Sequence, residues 1–388
     1  MAKRQTIEKM LFACLRSAVT NEPLDRSLCE ELHDEHQKAV YRLAKKHDVA
    51  HLIAYVLQRE RIPLTAEAQQ TLHRVQMAAV YRMQLLLREQ SRICETLENA
   101  GVPHVLLKGA VLRNYYPEPW MRTSCDIDLL TPAETLESTA SLLHTELDYK
   151  IDKTLDHDVQ IFAPNGTHLE LHYTLCVNHP SHDALLKDAW KYAYPIEGKH
   201  AAKALDFEFH LCYILAHIAK HVLSGGCGVR PFLDLFVLRR ADCYDEQRLL
   251  SFCEQSGLLV FYRACCRLCD VWFDNKPYTE DDRAFADYVL GAGVYGTVEN
   301  YTNVSNVRKG SKLAFLASRL FPPKDSIYTL YPGARRKKAL LPLYYIRRLF
   351  RVFLPSRRKA TVAQLKQTVN LTEQTSQELA DLLSKLGL

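Results

Sequence analysis

Residues 121–132, MRTSCDIDLLTP, set two aspartates one residue apart inside an apolar run, with Arg122 just upstream. If DIDLL is a strand, alternation sends Asp126 and Asp128 to one face and Ile127 to the other. Two negative charges then share one surface, which is costly without a cation. A divalent metal removes the repulsion: Mg2+ prefers one or two carboxylates together with waters and substrate phosphates, and Mn2+ takes the same hard oxygen ligands. The rest of the chain must then supply a nucleotide site.

Upstream, from residue 6 to about residue 99, apolar residues recur every three or four positions, as in AVYRLAKKHDVAHLIAYVLQ and VYRMQLLLREQSRICETLENA. This predicts a helical region over 1–100, closed by Gly101. VPHVLLKG then predicts a short strand, AVLRNYY a helical turn or two, and DIDLLT a second strand. Pro132 opens a helix, AETLESTASLLHTEL, at a position where proline is tolerated. Strands YKIDK, DVQIFAP and HLELHYTL follow, the last two joined by the turn PNGTH. Residues 101–180 thus form a mixed α/β core with a short sheet. After Pro180 the helical period returns, broken at SGGCGVRP, LGAGVYG and LYPGARRKK, so 181–388 is expected to be a helical C-terminal region with a basic tail segment. The expected class is α+β, a short mixed-sheet core embedded between mostly helical N- and C-terminal regions.

In HLELHYTL, alternation places Leu169 and Leu171 on one face, Glu170 and His172 on the other. Beside the strand of Asp126 and Asp128, Glu170 would bring three acidic groups together, enough for two metal ions about 3.5–4 Å apart. LLKGAVL passes from a strand end straight into a helix, so backbone N–H groups and the positive helix end would face an anion. Gly109 permits close approach, Lys108 adds a point charge, and Arg122 offers a planar bidentate contact. The motif is shorter than the Walker pattern.

Together LLKGAVL, MRTSCDIDLL and LELHYTL resemble the DNA polymerase β-type nucleotidyltransferases, in particular a large, mostly uncharacterised bacterial nucleotidyltransferase family of that superfamily. The family pattern is a Lys-Gly helix start, an arginine before Asp-x-Asp, and a third acidic residue in an acidic-x-His strand. Carried over, the resemblance implies that Asp126, Asp128 and Glu170 are catalytic and bind metal, and that Lys108, Gly109 and Arg122 lie on the nucleotide side. Where the superfamily more usually has Gly-Gly or Gly-Ser after the first strand, this chain has KGA. FHLCYILAHIAKHVL followed by VRPFLDLFVL resembles the helical region behind the sheet in these proteins. The implied activity is Mg2+- or Mn2+-dependent transfer of a nucleoside monophosphate from an NTP, ATP among them, with release of pyrophosphate. The acceptor, whether small molecule, protein or RNA, is left open. The alternative is a noncatalytic nucleotide-binding regulatory protein on the same fold. For the enzyme, Asp126→Asn or Asp128→Asn is expected to abolish transfer and leave the fold intact.

His217 and His221 stand at i and i+4 in HIAKH, a spacing that can hold zinc, but Ile218 takes the place of the glutamate of His-Glu-x-x-His. The favoured reading is a polar helix face lining or buttressing the cleft, with His172 and Arg230 also expected around the metal ligands. Arg230 and Asp234, again i and i+4, read as a helix ion pair or a brace to the core. Cys266 and Cys269 form a lone Cys-x-x-Cys that reads as buried helix surface. The segment 335–359 concentrates Arg335, Arg336, Lys337, Lys338, Arg347, Arg348, Arg351, Arg357, Arg358 and Lys359 among tyrosine, phenylalanine and leucine. It reads as a helix with an apolar packed side, with RNA phosphates or an anionic membrane surface as functional alternatives.

The 388 residues, 47% hydrophobic and 24% charged, suffice for two or three buried domains and exclude a disordered chain. A net charge of +5 does not by itself announce a nucleic-acid binder. Twelve cysteines scattered through helix-like patterns argue for reduced thiols. The start MAKRQTIEKMLFACLRSAV breaks its apolar residues with charges, unlike a secretory leader, and no apolar run reaches the roughly 18 residues of a spanning helix. A cytoplasmic location is expected.

Overall fold

A mixed sheet clasped by helices on both faces positions the candidate site. The computed structural model describes residues 2–155, 157–294, 296–309, 321–322, 324–331, 333–336, 338–352 and 373–388. Helices α1 (Ala2–Thr20), α2 (Arg26–Glu31), α3 (Asp34–Lys46) and α4 (Ala50–Arg59) open the chain. α5 (Ala66–Asn99) then runs 34 residues, about 50 Å at the helical rise. Thr65 caps its start by accepting from the Ala68 N–H at 3.2 Å, and Gly101, at φ +66°, takes the left-handed turn that ends it. Its buried stripe serves two cores: Leu72 joins the helical core, whereas Leu86, Ile93 and Leu97 lie on the sheet.

Strands β1 (His104–Leu106), β2 (Asp126–Leu130), β3 (Lys150–Thr154), β4 (Asp158–Phe162), β5 (His168–His172), β6 (Ala193–Pro195) and β7 (Ala202–Leu205) form one sheet in the order β3-β4-β5-β2-β1-β7-β6. β2 is central, antiparallel to β1 and parallel to β5 with Asp128 opposite Glu170. Two short helices, α6 (Gly109–Leu112) and α7 (Leu136–Leu147), lie between strands. Alternation divides the sheet into two faces. Ile127, Leu129, Val159, Ile161, Leu169 and Leu171 join Leu86, Ile93 and Leu97 of α5 and Leu143 of α7 in one apolar layer, each such side chain contributing about 1.5–3 kcal/mol. Asp126, Asp128, Glu170 and His172 occupy the other face. A one-residue slip of β2 or β5 would drive those charges into the apolar layer, which pins the register.

The other face looks toward the helices that follow: α8 (Pro180–Leu186), α9 (Phe207–Leu223), α10 (Arg230–Ala241), α11 (Glu246–Gln255), α12 (Leu259–Phe273), α13 (Glu280–Ala292) and α14 (Val298–Lys309). Leu11 and Leu15 of α1, Ile53 of α4, Phe232 of α10 and Leu268 of α12 share one core, and Phe12 stacks on Trp272 at 4.4 Å. The N- and C-terminal helical segments are therefore packed against each other as well as around the sheet.

The α+β class stands, with helical flanks and a mixed sheet. The mostly helical region after Pro180 also holds two strands that the sequence did not mark, β6 and β7, and β7 pairs in parallel with β1. Strands of three or four residues are too short to leave a period-2 signal. Pro132 precedes a 3₁₀ turn at Ala133–Thr135, and α7 begins only at Leu136. β3 is an edge strand with every residue exposed, and its lysines suit an edge that must not pair with another chain. None of the twelve cysteines is in a disulfide. Among the described residues no helix is long and apolar enough to cross a membrane. Of the basic segment, Lys337, Arg357, Arg358 and Lys359 lie outside the described residues; Arg347, on the helix Leu341–Val352, sits 5.5 Å over the Tyr331 ring.

Candidate active site

Asp128 is the electrostatic centre of the charged sheet face. Its Oδ1 accepts from Lys108 Nζ at 2.7 Å and from His172 Nε2 at 3.0 Å. Burial opposes the carboxylate charge, but Lys108 and the His172 hydrogen bond outweigh it and hold Asp128 well below the usual carboxylate range. Glu170, directly opposite on β5, has Oε2 3.5 Å from the same His172 nitrogen. Burial works against its charge too, and the His172 contact again wins, lowering its pKa. His172 is raised despite burial, because Asp128 and Glu170 both favour the imidazolium.

Asp126 differs. It makes no ion pair among the described residues, and burial, then repulsion from Asp128 and Glu170, pushes it up to about 6. Asp126, His168 and Glu170 offer ligand atoms within 4.8 Å of one another, as do Asp128, Glu170 and His172, so Glu170 belongs to both groups. Three carboxylates, one of them in no ion pair among the described residues, match the donor set of a hard divalent ion. Lys108 already neutralises Asp128 as such an ion would.

Lys108 reaches Asp128 because β1 turns abruptly at its end. The Leu107 N–H donates to the Asp128 carbonyl at 3.0 Å, and Lys108 then adopts φ +45°, rare for a residue with a side chain. Its N–H donates to His210 Nε2 of α9 at 2.9 Å. That ring must therefore carry its proton on Nδ1 and be neutral, in keeping with burial drawing it down to about 4. Gly109 is required for space: a Cβ there would meet Ser124 Cβ at 3.2 Å and Arg122 Nη1 at 3.3 Å.

Arg122 is buried and forks onto Asp234 of α10, with Nε–Oδ1 and Nη2–Oδ2 both 2.9 Å, while Nη1 donates to the Thr123 carbonyl. Asp234 also accepts from Tyr116 Oη at 2.7 Å. Arg230 turns away from Asp234, donating to the Thr123 carbonyl at 3.0 Å and to Asp48 at 3.3 Å. Of the two readings of the i, i+4 spacing, a helix ion pair or a brace to the core, the brace is the one formed, because the stretch before β2 offers both side chains better partners. This network ties the segment after α3, the stretch before β2, and α10 into one wall.

A cleft of about 380 Å³ brings together Lys108, Gly109, Arg122, Asp126, Asp128, Glu170, His217, His221 and Arg230, with His172 buried just behind. His217 and His221 place their Nε2 atoms 2.9 Å apart, so one donates to the other. Burial and nearby Lys108 hold His217 well below the imidazole range. The histidines join no three-ligand group among the described residues.

Three groups were not singled out from sequence. Asp158, on β4 opposite His172, is buried, with Oδ1 lacking a hydrogen-bond partner among the described residues but 3.8 Å from His157 Nε2, and is raised by burial; the alternation of DVQIFAP could have placed it on Glu170's face. Arg113, buried behind the site, donates to the Gly109 carbonyl at 2.8 Å and to Ser124 Oγ at 3.3 Å. Lys220 lines the cleft from α9, within the HIAKH motif already noted.

A central Asp-x-Asp strand, a third carboxylate on its parallel neighbour and a Lys-Gly turn beside them define a nucleotidyl-transfer type of core. Residues 33–274 match the model of a family described as uncharacterised nucleotidyltransferase, and the chain belongs to that family. No curated protein and no solved structure matches it.

Proposed function

We propose that the protein transfers a nucleoside monophosphate from an NTP to the hydroxyl, phosphate or amine of an acceptor and releases pyrophosphate. The observation that carries this reading is the convergence of Asp126, Asp128 and Glu170 on one cleft wall, facing Lys220 and Arg230 on the helical wall. Asp126, Asp128 and Glu170 would hold Mg2+ or Mn2+, which when bound supplies charge neutralisation and in-line alignment of the phosphates. Lys108 and His172 keep Asp128 ionised and oriented. Glu170, whose side chain retains 22% exposure, faces the cleft and is placed to take the acceptor's proton. Lys220 and Arg230 complement the substrate's negative charge. Arg122 orders the wall through Asp234 and Thr123, with its Nη1 edge beside Gly109 turned toward the nucleotide.

A noncatalytic nucleotide-binding role draws on one observation, that the Lys108 ammonium pairs with Asp128 at 2.7 Å and so neutralises one of the three carboxylates. Incubation with α-labelled NTPs, Mg2+ or Mn2+ and cell extract separates the two. Transfer predicts a labelled product and pyrophosphate release that Asp126→Asn and Asp128→Asn lose. Tight NTP binding, with pyrophosphate release no greater than in those variants, would replace the enzyme by the regulatory protein.

A further inference from the structure

Beyond the candidate active site, a second cleft of about 230 Å³ is lined by Asn178, His179, His182, Lys220, Ser224 and Arg308. Lys220 lines both clefts, so the two share a wall. The second is smaller than the usual pocket for a whole drug-sized ligand, and suits a compact polar group.

Its chemistry is cationic and unfinished. Among the described residues, neither Lys220 nor Arg308 has an ion-pair partner. The carboxylate of Asp183 is engaged elsewhere, accepting from the Val177 and His179 N–H groups at 2.7 and 3.1 Å. His179 Nδ1 and His182 Nε2 are both buried without a hydrogen-bond partner, and the two rings stack at 3.9 Å. Buried polar atoms are rarely left unpaired, and each calls for an explanation such as a bound ion. His182 Nδ1 donates to the Ser256 carbonyl at 2.8 Å, so neutral His182 presents a lone pair at Nε2. A group that carries both negative charge and its own O–H meets four of these groups: oxygens for Lys220, Arg308 and the Ser224 hydroxyl, and a proton for His182 Nε2.

We infer that this second cleft binds a phosphoryl group next to the site of transfer. Phosphate near neutral pH exists partly as a monoanion with a P–OH, and arginine and lysine are its ordinary partners. The shared Lys220 sets the group beside the cleft that holds Asp126, Asp128 and Glu170. Only the origin of the group depends on the nucleotidyl-transfer reading. It is either a phosphate carried by the acceptor or the distal end of the triphosphate.

The test uses the full-length protein in EDTA, titrated with inorganic phosphate and followed by calorimetry and 31P NMR. Wild type is expected to bind, with affinity falling about tenfold in Lys220→Ala and in Arg308→Ala, the loss of one charge-assisted contact each. Asp126→Asn is expected to bind phosphate as wild type does. Repeating the titration with Mg2+ and a nonhydrolysable NTP analogue identifies the source. Retained phosphate binding assigns the cleft to the acceptor, and displacement assigns it to the triphosphate. Absence of phosphate binding by wild type, or wild-type phosphate affinity in both cation variants, overturns the inference. Phosphate binding that persists where no NTP binds would count against nucleotidyl transfer alone.

Discussion

Replacing Asp126 by asparagine removes one charge from a face where three carboxylates converge, and its effect on stability follows from the site. Asp126 rises from 3.8 to about 6 in the folded protein, a shift of about two units that corresponds to roughly 3 kcal/mol. Burial is the largest cause, followed by repulsion from Asp128 and Glu170; with Glu170 oxygens within 4.8 Å, one such repulsion can reach about 3 kcal/mol at an effective dielectric of about 20. The folded state thus keeps a proton that the unfolded state releases between about pH 4 and pH 6. Stability from this group is present below that window and lost as pH rises through it. The variant has no such dependence. In metal-free buffer its melting temperature should approach wild type at about pH 4 and below and exceed it by a few degrees above pH 7. Asp128 titrates in the opposite direction in both proteins and cancels in the difference. Saturating Mg2+ should reverse the order, adding about 2.7 kcal/mol to wild type at a hundredfold excess over Kd. A difference between the proteins that is flat from pH 4.5 to 8, or a variant less stable at pH 7.5, would refute the crowded-carboxylate account.

Asp128→Asn should also abolish transfer but destabilise the fold by about 3–5 kcal/mol in denaturant titrations, because it leaves Lys108 and His172 buried without their anion. The expectation that either change leaves the fold intact is therefore kept for Asp126→Asn and revised for Asp128→Asn. Arg122→Ala should cost a similar amount by stranding Asp234, and Arg122→Lys should recover little of it, since one ammonium cannot reproduce the fork; NTP affinity measured on the same samples shows whether the Nη1 edge also touches nucleotide. Gly109→Ala should lower kcat/KM about tenfold with a smaller change in melting temperature, because the added Cβ presses on Ser124 and Arg122 at the cleft. Leu343 and Ile346 are exposed beside Arg347 on the helix Leu341–Val352. If that surface meets a polyanion, charge reversal at Arg347 and Arg348 should reduce retention on RNA or anionic vesicles and flatten its salt dependence, with melting unchanged.

The acidic site was legible in the chain because it rests on local rules. Alternation within DIDLL and HLELH assigns Asp126, Asp128, Glu170 and His172 to a single side of their strands, and an apolar partner at every other position fixes which side is buried. The α+β class was legible for the same reason, since long helices and five-residue strands repeat often enough to show a period. Pairing decided the rest. Nothing within three or four residues marks β6 and β7 as strands, and only β1 beside β7 makes them so. The i, i+4 spacing of Arg230 and Asp234 left a helix pair and a brace to the core open, and Asp48, Thr123, Arg122 and Tyr116, arriving from distant parts of the chain, decide for the brace. Asp158 and Lys220 likewise acquired their places from the packing of β4 against β5 and of α9 over the sheet. Side-chain direction along an element is a local property that sequence determines, whereas the partner of a charge is whichever group tertiary packing brings within about 3 Å, where low dielectric makes the contact count.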